Sequence, residues 1–405
     1  MNEPNPSAIP VTPPGTLPRL DSLDLLRGMI MILMALDHVR DFFSHDALFF
    51  EPTDLTKTDG ALFLTRWITH FCAPIFFFLA GTGAFLSQAR GKSKRDLAWF
   101  LITRGLWLVF LELTVVRCLG WMFNFNYHVW LALVIWALGW SMVVLAGLIF
   151  LPRWAILAVA IAMIGGHNLL DSIRPETFGG FAWLWKILHV PGDVAVASGI
   201  KLEVGYPLIP WIGVMAAGYL FGELVRSQRP VRRKQILSLG IALTVAFVVL
   251  RAINIYGDPQ TWSAQSSVLF TLFSFLNCEK YPPSLLYLLM TLGPAIAFLG
   301  LIDGKPLPSF RPVIVFGRVP LFYYLLHIPL IHGLAVAFSY AKYGRADYLL
   351  VVPPAFGGSI YPPDYGYGLA GVYSIWLLVI FLLYPACRWF ADLKQKRRDV
   401  WLSYL

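Results

Sequence analysis

Apolar runs of roughly 20 residues, each long enough to cross the hydrocarbon core of a bilayer, recur along most of this 405-residue chain. That repetition constrains the fold more than any other feature. No water-soluble domain of this length can bury so many apolar blocks, with 58% of residues hydrophobic and only 14% charged. Soluble domains carry about 25% charged residues. The pattern predicts an all-α, polytopic membrane helix bundle of about ten transmembrane helices. The spans are placed at about 21–44, 61–88, 96–120, 129–150, 154–170, 206–225, 235–255, 283–302, 312–337 and 368–388.

Basic residues orient these spans. With the N-terminus inside, the inner connections and tails carry 18 of the 32 Lys and Arg, clustered at Arg90–Arg95, Arg226–Lys234 and Arg388–Arg398. The longer outer connections carry eight: Arg40, Lys57, Arg174, Lys186, Lys201, Lys280, Lys342 and Arg345. This positive-inside bias predicts an even number of spans and two cytoplasmic termini. The net charge of +9 is therefore a topology signal, and no nucleic-acid partner is expected.

Residues 1–20, with Pro4, Pro6, Pro10, Pro13, Pro14 and Pro18, read as a disordered cytoplasmic tail without the makeup of a cleavable signal peptide. The first helix then serves as an uncleaved insertion signal. Residues 21–388 form the membrane domain and 389–405 a basic cytoplasmic tail. Cys72, Cys118, Cys278 and Cys387 lie scattered in apolar segments, with neither metal-ligand spacing nor a disulfide pattern. No histidine pair has His-x3-His spacing, and no metal is expected.

Six arginines remain inside the spans: Arg27, Arg66, Arg104, Arg117, Arg251 and Arg318. A charge at membrane depth is costly and faces a bundle interior or a wet cavity. Arg117 and Arg251 sit near outer ends, where snorkelling accounts for them. Arg27, Arg66, Arg104 and Arg318 sit deeper. The eight histidines all fall in outer halves, outer loops or the ninth span. A membrane histidine is more often a packing residue than a catalyst, but several at one depth favour chemistry.

The first span reads Ser22-Leu23-Asp24-Leu25-Leu26-Arg27-Gly28, and ten residues separate Arg27 from His38. Eleven helical steps return to nearly the same face and climb about 16 Å. A cation near the cytoplasmic side and a titratable base half a bilayer above it suit transfer of a group across the membrane. Asp37, His38 and Asp41 cluster at the upper end, with Asp41 placed at i+3 to hold an imidazolium. The local alternative is that Arg27 pairs with Asp24 and marks the helix start.

In the second span Arg66 and His70 share a face, followed by Cys72-Ala73-Pro74 and Phe76-Phe77-Phe78. Pro74 is expected to open the helix and free a backbone carbonyl. The ninth span offers Gly317-Arg318 and then Tyr323, Tyr324 and His327. Tyr–His packing alone would also account for that face. The outer loops are rich in turn residues (Pro282-Pro283, Pro353-Pro354, Gly357-Gly358, Pro362-Pro363) and in aromatics. They read equally as an interfacial aromatic belt or as the cap of a sugar-binding acceptor site.

The Leu-Asp-x-Leu-Arg-Gly start followed by Arg-x10-His resembles the membrane acyltransferases that use acyl-coenzyme A. The nearer likeness is to bacterial relatives of heparan-α-glucosaminide N-acetyltransferase. It is carried by Ser22 to Phe43, Thr65 to Gly83, Tyr206 to Trp211, Lys280 to Ser284, and Gly317 to His327. The resemblance implies an acetyl-coenzyme A donor bound from the cytoplasm. It also implies an amino or hydroxyl acceptor on a sugar or glycoconjugate at the far side, and residence in a bacterial inner membrane. His38 stands where the lysosomal enzyme is aligned with an asparagine, and His45 and His70 both stay open as counterparts of that enzyme's catalytic histidine.

Under this reading the catalytic candidates are His38 as base with Asp37 and Asp41, and His70 with Arg66 at the oxyanion or His70 as the base itself. The donor-binding candidates are Arg27, Arg104, Arg318, Tyr323 and His327, the arginines for bidentate phosphate contacts. Direct transfer and an acetyl-histidine intermediate both remain open, as does a homodimer. The alternative function is a proton-coupled secondary transporter of a small solute, since membrane Arg, His and Asp also build proton relays. No internal repeat of the kind common in transporters is visible.

Overall fold

The computed structural model describes residues 19–351, 360–397 and 399–405. The Pro-rich segment at 1–18 and the Pro353-Pro354 and Gly357-Gly358 turns lie outside the described residues. The described chain is predominantly helical. Among the described residues, seven helical segments are long and apolar enough to cross a membrane: Gly60–Ala89, Lys94–Trp121, Leu208–Arg226, Arg229–Ile253, Leu285–Ile302, Pro320–Tyr343 and Leu369–Lys396. Val134–Leu148 and Arg153–Gly165 are shorter apolar helices.

The helices used below are α1 (Asp21–Phe43), α2 (Gly60–Thr69), α3 (Cys72–Ala89), α4 (Lys94–Leu111) and α5 (Val134–Leu148). They continue with α6 (Arg153–Gly165), α7 (Ala182–Leu188), α8 (Leu208–Arg226), α9 (Arg229–Ile253) and α10 (Val268–Leu276). Last come α11 (Leu285–Ile302), α12 (Arg311–Arg318), α13 (Pro320–Tyr343) and α14 (Leu369–Lys396). Local chemistry sets several starts. Asp59 accepts from the amides of Ala61 and Leu62 at the head of α2, Ser93 caps α4, and Ser284 caps α11.

The structure departs from the expected spans in three places. The second span is kinked at His70-Phe71. Pro74 has no N–H for the carbonyl four residues back, that of His70, and the Tyr287 hydroxyl donates to it instead at 2.7 Å. The expected span at 129–150 begins as a strand, β1 (Val129–Ala132), which pairs in parallel with β3 (Ile200–Val204); β2 (Gly192–Ala197) lies antiparallel on the other side of β3. The bundle is thus not all-α. The ninth span is broken at Val319, between α12 and α13. Beyond α4 the helix widens into a π-helical run, Glu112–Trp121. Buried Glu112 turns away from its own helix to accept the amides of Ile135 (3.0 Å) and Trp136 (3.2 Å), capping α5.

Helix α1 lies inside the bundle and is buried along most of its length. It crosses α12 at backbone distance: a Cβ on Gly28 would stand 2.0 Å from the Val313 carbonyl oxygen, and one on Gly317 only 1.8 Å from that of Asp24. Only glycine permits that approach. The outer faces of α4 (Trp99, Phe110), α9 (Val245, Val249) and α14 (Leu377, Phe381) expose large apolar side chains, as lipid-facing surfaces do. Arg117 and Arg251, each 1% exposed, do not snorkel. Arg117 donates to the carbonyls of Asn124, Asn126 and Val129. Arg251 donates to those of Gln260, Ser274, Phe275 and Asn277. Both pin loops, satisfying carbonyls that no helix or strand would satisfy. The four cysteines are buried and free.

Candidate functional site

Two cavities lie end to end along α1. The first, of about 320 Å³, opens at the N-terminal end of α1 and is lined by Arg27, Arg104, Arg318 and Lys394, with no acidic side chain among its described lining residues. The second, of about 260 Å³, sits at the C-terminal end and is lined by Asp37, His38, Arg40, Asp41, Glu51, Arg66, Tyr206, Lys280 and Tyr281, among others. Phe76, Val134 and Tyr324 line both. These three side chains stand between a chamber with cationic side chains and a mixed-charge chamber.

The glycine crossing builds the first chamber. It brings the Asp24–Gly28 stretch of α1 against the Gly317-Arg318 end of α12, far apart in sequence. Arg27 donates to Asp24 at 3.3 Å and to the Gly317 carbonyl at 3.2 Å. Arg318 pairs with Asp21 at 3.3 Å and lies 3.9 Å from Asp24, and Arg19 also pairs with Asp24. The expected Asp24–Arg27 pair therefore forms, within a larger cluster. One buried carboxylate orients several guanidinium groups, and a surplus of positive charge is left facing the cavity.

In the second chamber the carboxylate of Asp37 is the hub. It meets Arg40 at 2.9 Å, Arg66 at 3.0 Å and Lys280 at 3.9 Å, and accepts from the Thr69 hydroxyl at 2.7 Å. Arg66 also donates to Glu51 at 3.0 Å. Arg40, Arg66 and Lys280 are all buried, so their charges act in a poorly screened space. His38 Nδ1 lies 3.2 Å from Asp41, and Asp41 accepts from Arg40 at 2.6 Å. The carboxylate thus fixes the orientation of an imidazole that lines the chamber. Trp121 meets the His38 ring edge-on, with centroids 5.0 Å apart. Burial pushes the Tyr281 phenol up, but adjacent Lys280 and Arg66 outweigh it and hold the group below its ordinary value. Tyr206 packs edge-on against Tyr281.

Of the catalytic candidates, His38, Asp37, Asp41 and Arg66 line this second chamber. His70 does not. It is buried beside Tyr287, with Nδ1 unpartnered. His45 also lies off both cavities and binds the Tyr365 carbonyl. Of the donor-binding candidates, Arg27, Arg104 and Arg318 meet in the first chamber. Tyr323 and His327 line neither cavity. Tyr323 points into the packing around Phe316, and its neighbour Tyr324 lines both chambers. His327 stands 5.2 Å from His38, centroid to centroid, with its Nδ1–H on the Tyr324 carbonyl. It belongs behind the second chamber rather than in the first.

Arg40, Lys280, Tyr281, Tyr206 and Lys394 were not among the expected site residues, although Tyr206 and Lys280-Tyr281 lie in segments that carry the resemblance. Arg40 was legible, as it lies inside the Asp37–Asp41 cluster. Lys280 and Tyr281 come from a loop whose placement only the tertiary fold decides.

A sequence-family profile described as "Heparan-alpha-glucosaminide N-acetyltransferase, catalytic" matches residues 19–257, more than half of the chain and the part that holds most of both chambers. A comparison with curated proteins finds no match.

Proposed function

The chain belongs to the heparan-α-glucosaminide N-acetyltransferase catalytic family, and from that premise we propose that it moves an acetyl group across the membrane. The donor is acetyl-coenzyme A on the cytoplasmic side, and the acceptor is an amino or hydroxyl group of a sugar or glycoconjugate on the outer side. The observation that carries this reading is the pair of chambers meeting at Phe76, Val134 and Tyr324, cationic at one end and holding His38 at the other. With the basic connections inside, the chain makes ten crossings, two of them short and one the charged α1, and keeps both termini in the cytoplasm of a bacterial inner-membrane protein.

Arg27, Arg104, Arg318 and Lys394 bind the phosphates of the donor. The thin pantetheine arm passes Phe76, Val134 and Tyr324 and presents the thioester to the second chamber. The acceptor lies against Tyr206, Tyr281 and Trp121. His38 Nε2 takes the proton of the acceptor amine or hydroxyl as the new N–C or O–C bond forms. Arg66, Arg40 and Lys280 provide the positive field for the tetrahedral oxyanion. The C–S bond then breaks, and the thiolate leaves as coenzyme A thiol with the proton carried by His38. Asp41 holds the imidazole through the cycle, and Asp37 holds the cations.

Proteoliposomes test this. Acetyl-coenzyme A labelled in the acetyl group is supplied on the cytoplasmic face, and glucosamine or another amino sugar on the opposite face. Labelled acetyl-sugar should form only with the two on opposite sides. Uptake of a solute without acetyl transfer would move the assignment to a transporter.

A further inference from the structure

A second polar cluster lies away from both chambers. His167 lies two residues beyond α6, Asp171 comes four residues later, and His189 follows α7. One ligand atom from each lies within 4.8 Å of the others. His189 Nε2 and Asp171 Oδ1 are already 3.1 Å apart. His167 and His189 are each 1% exposed, yet neither ring nitrogen of His167 nor Nδ1 of His189 makes a hydrogen bond. Buried polar atoms in folded proteins are nearly always satisfied, so the bare nitrogens of His167, beside a carboxylate and a second imidazole, call for an occupant. Asp171 remains open to solvent and gives that occupant an entrance.

We propose that His167, Asp171 and His189 form a Zn²⁺ site. Two imidazoles and one carboxylate suit zinc, which takes three protein ligands and a water in tetrahedral geometry. Zn–ligand bonds of about 2.0–2.2 Å set neighbouring ligand atoms roughly 3.3 Å apart. The His189 Nε2–Asp171 Oδ1 edge, at 3.1 Å, is close to that length, and a His167 ring nitrogen stands within 4.8 Å of both. The surroundings already orient the ligands. Asn168 Nδ2 donates to Asp171 Oδ2 at 2.8 Å, leaving Oδ1 for the metal. The Pro283 carbonyl lies beside the His167 ring without satisfying either nitrogen in a well-formed hydrogen bond. Trp185 packs over the His189 ring at 5.0 Å.

The role is to brace the outer cap. Asn168 Oδ1 accepts the Leu285 amide at 2.9 Å, so the site is wired to the 280–285 segment that carries Lys280 and Tyr281 into the second chamber. The sequence does not advertise the site, because its spacing is His-x3-Asp with the second histidine 18 residues further on.

The test uses the full-length protein, purified without a histidine tag, stripped with EDTA and titrated with ZnCl₂ by calorimetry in detergent. One Zn²⁺ should bind per chain and raise the melting temperature. His167→Ala and His189→Ala should each weaken binding at least about 100-fold. Should those buried variants fail to fold, Asp171→Asn decides. It keeps the shape of the exposed ligand and should weaken Zn²⁺ at least about tenfold and remove the thermal shift. Folded wild type without stoichiometric Zn²⁺, or unaltered affinity in Asp171→Asn, overturns the site. None of these readings depends on acetyl transfer.

Discussion

Replacing Arg27 by alanine separates binding of the donor from chemistry on it. Arg27 makes two rather long bonds, 3.3 Å to Asp24 and 3.2 Å to the Gly317 carbonyl, and its side chain is 23% exposed. It is held in place yet still available to an anion in the first chamber. Its removal does not orphan Asp24, which keeps Arg19 and Arg318. The fold should therefore survive. A hydrogen bond to a charged partner contributes about 1.5–3 kcal/mol. Part of Arg27 is wet and part is spent on Asp24, so the low end applies, about 1.5–2 kcal/mol, or a Kd for acetyl-coenzyme A raised about 10–30-fold. Because the phosphates stay bound throughout the reaction, the loss falls on KM, and kcat at saturating donor stays within about twofold. Calorimetry in detergent measures the first quantity and steady-state acetyl transfer the second. An unaltered Kd in folded protein, or a collapse of kcat with no change in Kd, refutes the assignment of the cationic chamber to the donor.

Other outcomes follow from the same geometry. His38→Ala should lower kcat about 10²–10⁴-fold while leaving the donor Kd unaltered in calorimetry. Gly317→Val pushes a side chain into the Asp24 backbone, where even a Cβ stands 1.8 Å from the carbonyl oxygen; it should cost about 3 kcal/mol, the upper end for overpacking, read as a lower melting temperature together with weaker donor binding. Tyr287→Phe strips the His70 carbonyl of its partner at the helix kink and should destabilise the fold by about 1–3 kcal/mol. Since His70 lines neither chamber, kcat per folded molecule should hold in that variant, and a kcat loss beyond about tenfold would return His70 to the list of bases.

Hydropathy is a local property, and so the sequence by itself determined that this chain is a helical membrane protein. Lipid leaves a backbone no partner but its own segment. The sequence also determined that Arg27 and His38 stand on one stripe of α1, because an eleven-residue helical step returns to nearly the same face. It even located the break at Pro74, whose missing N–H is written in the residue type. Tertiary structure decided what stands opposite that stripe. The Gly28–Gly317 crossing joins two distant motifs into one chamber floor, and neither glycine reveals its partner. Loop residues Lys280 and Tyr281 reach the second chamber through folding of a connecting segment with no periodic signal. The interruption at Val319 and the strand at Val129–Ala132 were hidden because an apolar run reads alike as a continuous span, a kinked one or an edge of sheet. The His167–Asp171–His189 cluster was hidden for a related reason: its ligands meet across two short helices, and distance in space is the one quantity that spacing along a chain does not carry.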